Sequence, residues 1–199
     1  MKEFWDRRYE TDQFVYGREP NRFFATEIAK LSPGKILLPG EGEGRNAVHA
    51  ASLGWNVDAF DQSRVGMEKA LGLARETGVR INYTVSTLEE YSYESDQYDV
   101  VGLTFVHVIP ALRKMLHRQV QRVLKPGGTI ILEAFHISQL GNNTGGPPSI
   151  ELLFDKEMLL KDFSSLEVLL LEEEPVFLNE GSSHQGETNI IRFLGRKIT

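Results

Sequence analysis

The sequence predicts an α/β fold, a doubly wound and mostly parallel sheet with helices on both faces. From Lys35 onward, short apolar runs of strand length alternate with segments of helical period, and this alternation is typical of a parallel sheet covered by helices. The run YDVVGLTFV is almost continuously apolar, as expected for a strand buried on both faces. With 199 residues, 41% of them hydrophobic, the chain is expected to form a single domain.

The predicted elements follow in order. Residues 1–34 are expected to form an N-terminal helical cap, residues 35–135 the core, and residues 136–199 a lid loop and a terminal pair of strands. The strands of the core are KILL, WNVDAFD, RINYTVS, YDVVGLTFV and TIILEAF. The helices between them are GRNAVHAASLG, RVGMEKALGLARETG and ALRKMLHRQVQRVL. Ser63 is placed to cap the start of the second helix. Glycines 54 and 78 are placed to end the first two helices, and KPGG ends the third because proline cannot continue a helix.

The C-terminal third of the chain is less regular. The stretch HISQLGNNTGGPPS has the composition of a surface loop and is predicted to act as a lid. A short helix is expected around DKEMLLKDF. The runs LEVLLLEEE and NIIRFLGRK are predicted strands joined by the polar segment NEGSSHQGET, so a hairpin-like pair ends the sheet.

Charge and composition restrict the class of partner. The chain has 22 Lys and Arg against 28 Asp and Glu, a formal net charge of -6, so no positive field would attract nucleic acid or an anionic membrane. The absence of cysteine removes thiolate metal ligands and cysteine nucleophiles. The N-terminus lacks the apolar region of a signal peptide, and no apolar run approaches the roughly 18 residues of a membrane span. We therefore expect a cytoplasmic protein that binds neither nucleic acid nor membranes.

A glycine-rich turn in KILLPGEGEGRNAV connects the first strand to a helix. Gly40, Gly42 and Gly44 permit a tight turn and a close approach of a ligand to the backbone. Asp61 ends the second strand roughly 20 residues later, where a carboxylate can accept hydrogen bonds from ribose hydroxyls. This spacing favours a ligand of adenosine type. A turn or capping role in DQS is the alternative for Asp61.

The charge of the turn discriminates between adenosine-type ligands. At about 6 Å and an effective dielectric constant near 20, a carboxylate and a phosphate charge repel by roughly 3 kcal/mol. Glu41 and Glu43 would oppose a pyrophosphate in this way, whereas they would attract the sulfonium and ammonium groups of S-adenosylmethionine. For Glu43, a favourable interaction with the helix dipole is the simpler explanation. A nicotinamide-dependent oxidoreductase is an alternative function.

The motifs, taken in order along the chain, resemble those of the class I S-adenosylmethionine-dependent methyltransferases. ILLPGEGEGRN is similar to the family's VLDLGCGEGRN, VDAFDQS to its acidic second motif, VSTLEEY to its adenine-side segment, YDVVGLTFVH to its fourth-strand motif and RVLKPGGTIILE to its fifth strand. FWDRRYE, YGREPN and NEGSSHQG resemble the tellurite-resistance subgroup and, more loosely, the thiopurine methyltransferases. The resemblance extends from Phe4 to Lys197. It implies a Rossmann-like sheet of seven strands with an antiparallel last strand.

The resemblance also implies a binding site for S-adenosylmethionine. The glycines of the turn would pack under the methionine part of the cofactor, and Asp61 would hold its ribose. The residues implied around the rest of the cofactor are Gln62 of the acidic motif, Thr87 and Leu88 beside the adenine, and Thr104 and Phe105 near the sulfonium. Leu38 stands where the family has an acid, and one hypothesis is that Glu41 meets the cofactor's ammonium in its place.

Methyl transfer from a sulfonium is an in-line displacement, so it needs positioning and exclusion of water more than acid–base groups. If the acceptor must lose a proton, a histidine at a loop end suits the task, and His107 and His184 are the candidates for substrate contact. Trp5 and Tyr16 are candidates for covering the pocket. Arg18 is a candidate for contact with the cofactor carboxylate or an anionic substrate. The alternative for each residue is ordinary packing or a solvated charge, and no histidine–carboxylate spacing indicates a metal site.

The sequence thus predicts an S-adenosylmethionine-dependent methyltransferase that acts on a small-molecule nucleophile and requires no metal. A second interpretation is a non-catalytic binding protein that kept the fold and lost cofactor affinity. It rests on Leu38, Glu41 and Thr87, which depart from the pattern of the family.

Overall fold

A computed structural model describes residues 2–142 and 144–198, apart from the side chain of Lys2. Its strands are β1 (Lys35–Pro39), β2 (Asn56–Asp61), β3 (Asn82–Val85), β4 (Tyr98–Thr104), β5 (Leu124–Phe135), β6 (Leu166–Glu180) and β7 (His184–Lys197). They form one sheet in the order β3-β2-β1-β4-β5-β7-β6. Neighbours from β3 to β5 are parallel, and β7 is antiparallel to both β5 and β6. The predicted seven-stranded, mostly parallel sheet with an antiparallel last strand is confirmed.

The helices within the described ranges are α1 (Lys2–Tyr9), α2 (Arg22–Ile28), α3 (Arg45–Ser52), α4 (Arg64–Thr77), α5 (Pro110–Val123) and α6 (Lys156–Asp162). The first two precede β1, as predicted for residues 1–34. None of these helices is long and apolar enough to cross a membrane. The predicted lid contains a 3-10 helix at Ile137–Gln139, and Asn143 in the same loop lies outside the described residues.

Local signals in the sequence set the ends of α4. The Ser63 hydroxyl accepts a hydrogen bond from the Gly66 backbone N–H at 3.0 Å, which caps the start of the helix. Gly78 ends the helix with a left-handed backbone at φ 74°, a conformation that glycine adopts without steric cost. Both the predicted cap and the predicted stop are therefore confirmed.

Helices cover both faces of the sheet, as predicted, and alternate residues of β1 point to opposite faces. Leu37 belongs to a core shared with α5 and α6. Ile36 and Leu38 belong to a second core shared with α2 and α3. A Cβ on Gly102 would lie 2.6 Å from Leu38 and 3.0 Å from Phe24, so Leu38 fills space between β4 and α2. The apolar residue in place of the family's acid is thus explained by packing.

Two segments differ from the sequence-based expectation. KPGG lies within β5, where Leu124 pairs with Tyr98 but Thr129 pairs with Val100, so residues 125–128 bulge out of the ladder. The segment NEGSSHQGET is mostly strand, because β6 and β7 extend until only residues 181–183 form the turn. The polar composition suggested a long loop, but pairing between the two strands continues through these residues.

The cap is joined to this tight turn by close backbone packing. The Ser183 N–H donates a hydrogen bond to the Val15 carbonyl at 3.3 Å. Gly17 and Gly181 both have positive φ, and a Cβ on Gly181 would collide with the backbone of Val15 and Gly17. Only a residue without a side chain permits this contact. The β6–β7 turn therefore fixes the position of residues 15–17.

Candidate functional site

The glycine-rich turn lies at the carboxyl ends of the parallel strands, between β1 and α3. Gly40, Gly42 and Gly44 have φ values of 63°, 60° and 87°, in a region that residues with a Cβ rarely adopt. A Cβ on Gly40 would lie 3.3 Å from the Val106 side chain, and one on Gly42 would lie 2.6 Å from the Tyr9 hydroxyl. The turn therefore needs glycine for its backbone conformation and for the close packing of neighbouring segments.

Asp61 is buried beside this turn at the end of β2. Its carboxylate accepts hydrogen bonds from the backbone N–H of Gly42 at 3.2 Å and of Ser63 at 2.8 Å. Burial raises the pKa of Asp61 above its ordinary value, and these two N–H groups oppose the rise. Because a carboxylate has about four acceptor positions, it can still accept hydrogen bonds from a ligand. The turn role considered for Asp61 is present, and it is compatible with ribose binding.

Glu41 supports the start of α3. Its carboxylate accepts a hydrogen bond from the Ala47 N–H at 2.8 Å, one of the N–H groups that the start of a helix leaves without a partner. The N-cap residue itself, Gly44, has no side chain to supply this bond. Burial raises the pKa of Glu41 to about 7, against the effects of the Ala47 N–H and the charge of Arg45. Glu41 thus has a structural role that the sequence did not reveal.

Glu43 anchors the cap to the turn. Its buried carboxylate accepts hydrogen bonds from the backbone N–H of Val15 at 2.8 Å and of Tyr16 at 3.4 Å. It also pairs with Lys69 Nζ at 2.6 Å. The main interactions of Glu43 are therefore those with the cap and with Lys69. The expected interaction with the helix dipole is secondary, because Glu43 precedes α3.

A further carboxylate, Glu180 at the end of β6, connects three segments. Its Oε2 pairs with Arg45 at 2.8 Å, and its Oε1 accepts a hydrogen bond from Asn21 Nδ2 at 3.2 Å. His184 Nδ1 lies 3.6 Å from Oε2. Burial acts to raise the pKa of Glu180, but His184 and Arg45 together hold it below its ordinary value. The carboxylate is therefore ionised at neutral pH.

The same cluster fixes the backbone of the cap. Arg45 donates a hydrogen bond to the Tyr16 carbonyl at 3.0 Å, and the Asn21 N–H donates one to Asn46 Oδ1 at 2.9 Å. The motifs YGREPN, GEGRN and NEGSSHQG, which are far apart in sequence, therefore meet at one place. Sequence reasoning quoted all three motifs but missed Asn21, Arg45 and Glu180 as the residues that join them.

His184 lies at the centre of this junction, as the first residue of β7, and is 4% exposed. Its ring centroid is 4.5 Å from that of Tyr16 and 4.7 Å from that of Phe105. Burial lowers the pKa of His184 below the ordinary 6.5, and the charge of Arg45 acts in the same direction, while Glu180 opposes both. The ring is therefore neutral at pH 7, which is the form that can accept a proton.

Phe105 follows β4 with an unusual backbone. Its φ of 53° lies in the left-handed region, a conformation that costs a non-glycine residue on the order of 1 kcal/mol or more and occurs often at functional sites. Its N–H donates to the Glu133 carbonyl at 2.8 Å, and its ring packs on Phe135 at a centroid distance of 4.7 Å. These contacts hold the Phe105 ring against His184, beside the carboxyl end of β4.

His107, the other predicted histidine, has both ring nitrogens bonded to the backbone. Nδ1 lies 2.7 Å from the Leu152 carbonyl, and the Phe135 N–H donates to Nε2 at 3.2 Å. A single neutral tautomer satisfies both bonds, and burial lowers the pKa of His107 to about 4, while the Leu152 carbonyl opposes this. His107 therefore holds the loop after β4 in place, which corresponds to the packing alternative.

The residues expected around the adenine and sulfonium lie at successive strand ends. The Thr87 hydroxyl accepts a hydrogen bond from the Glu90 N–H at 3.2 Å, which fixes the turn after β3. Leu88 packs against the core on the α5 side of the sheet. Thr104 is the last residue of β4, Gln62 directly follows β2, and both are partly buried. These positions stay predicted cofactor contacts.

The two remaining cap residues have partners within the protein. Trp5 stacks on Tyr9, with ring centroids 5.6 Å apart. Arg18 forms an ion pair with Glu76 on α4 and lies 5.3 Å from the Phe14 ring centroid. Half of the Arg18 side chain is exposed, which is compatible with the alternative of a surface charge, and its contact with a cofactor or substrate stays a prediction.

We expect Glu41→Gln to change the dependence of stability on pH. A carboxyl group whose pKa rises from 4.5 to about 7 on folding contributes stability below pH 4.5 that is lost as the pH rises through 7. Such a shift corresponds to roughly 3 kcal/mol, and Gln keeps the acceptor for Ala47. The variant should therefore be more stable than wild type by about 1 to 3 kcal/mol at pH 8 and about equal to it at pH 4.

Urea unfolding at the two pH values measures this difference. Glu10→Gln, which removes an exposed carboxylate, is the control for the loss of one negative charge. A stability difference that is the same at pH 4 and pH 8 would show that Glu41 does not titrate as described.

The central part of the chain is similar to known proteins. Residues 36–128, just under half of the sequence, match the family model described as "Methyltransferase domain". The ubiquinone biosynthesis O-methyltransferase of Rickettsia canadensis (strain McKiel) is 35% identical over 111 residues, which are 55% of this chain and 45% of that protein. The chain thus matches less than half the length of that relative.

Solved structures share the fold over nearly the whole chain. TehB from Haemophilus influenzae superposes with a TM-score of 0.74 and 16% identity, covering 98% of this chain and 66% of that one. A SAM-dependent methyltransferase from Methanosarcina mazei superposes with a TM-score of 0.72 and 18% identity, covering 90% and 99%. Residues 36–128 are therefore similar to a methyltransferase domain, and nearly the whole chain shares the Rossmann-like fold of these solved structures.

Proposed function

We propose that this protein is an S-adenosylmethionine-dependent methyltransferase that acts on a small-molecule nucleophile. The observation that carries the proposal is the negative charge of the glycine turn. Three carboxylates, Glu41, Glu43 and Asp61, gather where β1 and β2 end, and Lys69 neutralises Glu43. Glu41 and Asp61 are left to meet a ligand. A cationic cofactor suits this site because it favours the ionised form of Glu41, whose pKa is about 7. A pyrophosphate would be repelled by roughly 3 kcal/mol by each ionised carboxylate at about 6 Å.

The structure weakens the case for a non-catalytic protein. That interpretation rested on three departures from the family's motifs, and each has a local structural reason. Leu38 fills the core below Gly102, Glu41 caps α3, and Thr87 caps the turn after β3. None of these roles requires that cofactor binding has been lost.

The residues of the site fit the cofactor. When bound, S-adenosylmethionine supplies a methyl group activated by the sulfonium. We assign Asp61 to the ribose hydroxyls and the glycine turn to the methionine part. Glu41 can meet the ammonium, because a carboxyl group with a pKa of about 7 ionises readily next to a cation. Phe105, held by its backbone beside His184, helps to exclude water from the sulfonium end.

We propose that His184 is the base that takes up the proton when the molecule to be methylated must lose one. Its neutral form at pH 7, its burial and its place between Tyr16 and Phe105 support this role. Glu180 lies near Nδ1 and would stabilise the ring once it is protonated. The relative from Rickettsia is named as an O-methyltransferase, and a hydroxyl acceptor would need such a base. We therefore propose a hydroxyl- or thiol-bearing small molecule as acceptor, in a cytoplasmic setting as the sequence predicts.

Thermal unfolding with added ligands is the first test. A ligand at about 100 times its dissociation constant stabilises the folded state by roughly 2.7 kcal/mol, which raises the Tm of a chain of this size by about 5 to 10 °C. We expect this rise with S-adenosylmethionine and S-adenosylhomocysteine, and none with NAD. No rise with either adenosyl compound would refute the proposal, and a rise with NAD alone would favour an oxidoreductase.

We expect His184→Gln to lower kcat without weakening cofactor binding. A general base contributes roughly 100-fold or more to a rate, so the loss should be of that order for a phenol acceptor. It should be much smaller for an aromatic thiol that is already ionised at the assay pH. His136→Gln, at a histidine that follows β5, is the matched control. Equal losses for both acceptors would mean that His184 acts only through packing.

A further inference from the structure

A surface groove opens next to the Tyr16–His184 pair. It has a volume of about 490 Å³ and is lined by Arg8, Thr11, Asp12, Gln13, Val15, Ser182 and Ser183. One wall comes from the end of α1 and the segment after it, and the other from the β6–β7 turn. Arg8 of the lining bonds to the Tyr16 hydroxyl, and the Tyr16 ring packs on His184, so the groove lies beside the proposed reaction site. The volume is in the range of small-molecule pockets.

Arg8 is the cationic residue in this lining. Its Nε donates a hydrogen bond to the Tyr16 hydroxyl at 3.0 Å. Its guanidinium carbon lies 5.9 Å from the Trp5 ring centroid and 5.6 Å from that of Tyr16, so two aromatic rings hold it in place. Within residues 2–142 and 144–198, no ion pair uses the Arg8 guanidinium. Most of its N–H donors are therefore available to a ligand.

Other side chains of the groove add donors suited to an anion. Ser182 and Ser183 line the same space from the β6–β7 turn and carry hydroxyl groups that can donate hydrogen bonds. Asp12 also lines the groove, but its side chain is exposed, where solvent screens its charge. A planar guanidinium forms strong paired hydrogen bonds with a carboxylate, so the groove favours a negatively charged group close to the reacting atom.

We propose that this groove is the acceptor site and that Arg8 selects acceptors that carry a carboxylate besides their nucleophile. The proposal rests on the proposed methyltransferase function, because it supplies the substrate class for that reaction. Arg8 does not touch the reacting atoms in this account. It binds the anionic end of the acceptor, and the nucleophile then points toward Tyr16 and His184.

The test compares 4-mercaptobenzoate with its methyl ester, which differ in the charge of one group. The acid and the ester are each titrated into the protein alone and into the protein with S-adenosylhomocysteine, and isothermal titration calorimetry gives the affinity of each ligand. We expect the acid to bind at least tenfold more tightly than the ester, since hydrogen bonds to a charged group carry most of the preference. Arg8→Gln should remove this preference, and Asp12→Asn should increase the affinity for the acid by about twofold.

The titrations distinguish selection of a carboxylate by Arg8 from a purely structural role of Arg8. Equal affinities of acid and ester for the wild-type protein would overturn the proposal. An Arg8→Gln variant that binds both ligands more weakly by the same factor would also overturn it, because Arg8 would then serve only to hold Tyr16. Binding of S-adenosylhomocysteine is measured in the same titrations. Its failure would refute the methyltransferase function independently of the preference for a carboxylate.

Discussion

The candidate site depends on one largely buried carboxylate, that of Glu180. A buried charge is tolerated only when it is paired and hydrogen-bonded, and removing one partner of such a pair typically costs about 3 to 5 kcal/mol. Glu180 therefore requires Arg45 from the glycine-turn region and Asn21 from the cap to stay in place. Those two residues in turn fix Tyr16 and α2. Glu180 thus joins the cap, the glycine turn and the terminal hairpin, and the bonds of Glu43 and of the β6–β7 turn to residues 15–17 add to this junction.

The contacts of Arg45 and Glu180 both stabilise the fold and connect the two proposed binding sites. The glycine turn and Asp61 would bind the cofactor, whereas His184 and the groove beside Arg8 would receive the acceptor. Both halves share Arg45, which lies in α3 directly after the turn and pairs with the hairpin through Glu180. The same ion pair therefore connects the proposed cofactor and acceptor sites, and the proposed acceptor side includes chain segments outside the matched residues 36–128.

The fold could be predicted from sequence because its signals are local and repeated: alternating apolar runs, Ser63 as a cap and Gly78 as a stop. The glycine turn after β1 and the position of Asp61 at the end of β2 were predictable for the same reason. Long-range contacts gave no such signal. The roles of Glu41 and Glu43 depend on Ala47 and on the backbone of Val15, which only the folded chain brings near. The partners of Arg18 and His107 could not be predicted, because Glu76 and the backbone near Leu152 are distant from them in sequence.

Hydrogen exchange of the Glu180→Gln variant tests the central claim most directly. Glu187→Gln, at an exposed position of the same hairpin, is the control. If Glu180 holds the three segments together, the N–H groups of Val15, Tyr16 and Ser183, which bond across the junction, should exchange at least tenfold faster in Glu180→Gln, while those of β1 and β4 change little. Unchanged protection of these three amides would contradict the account.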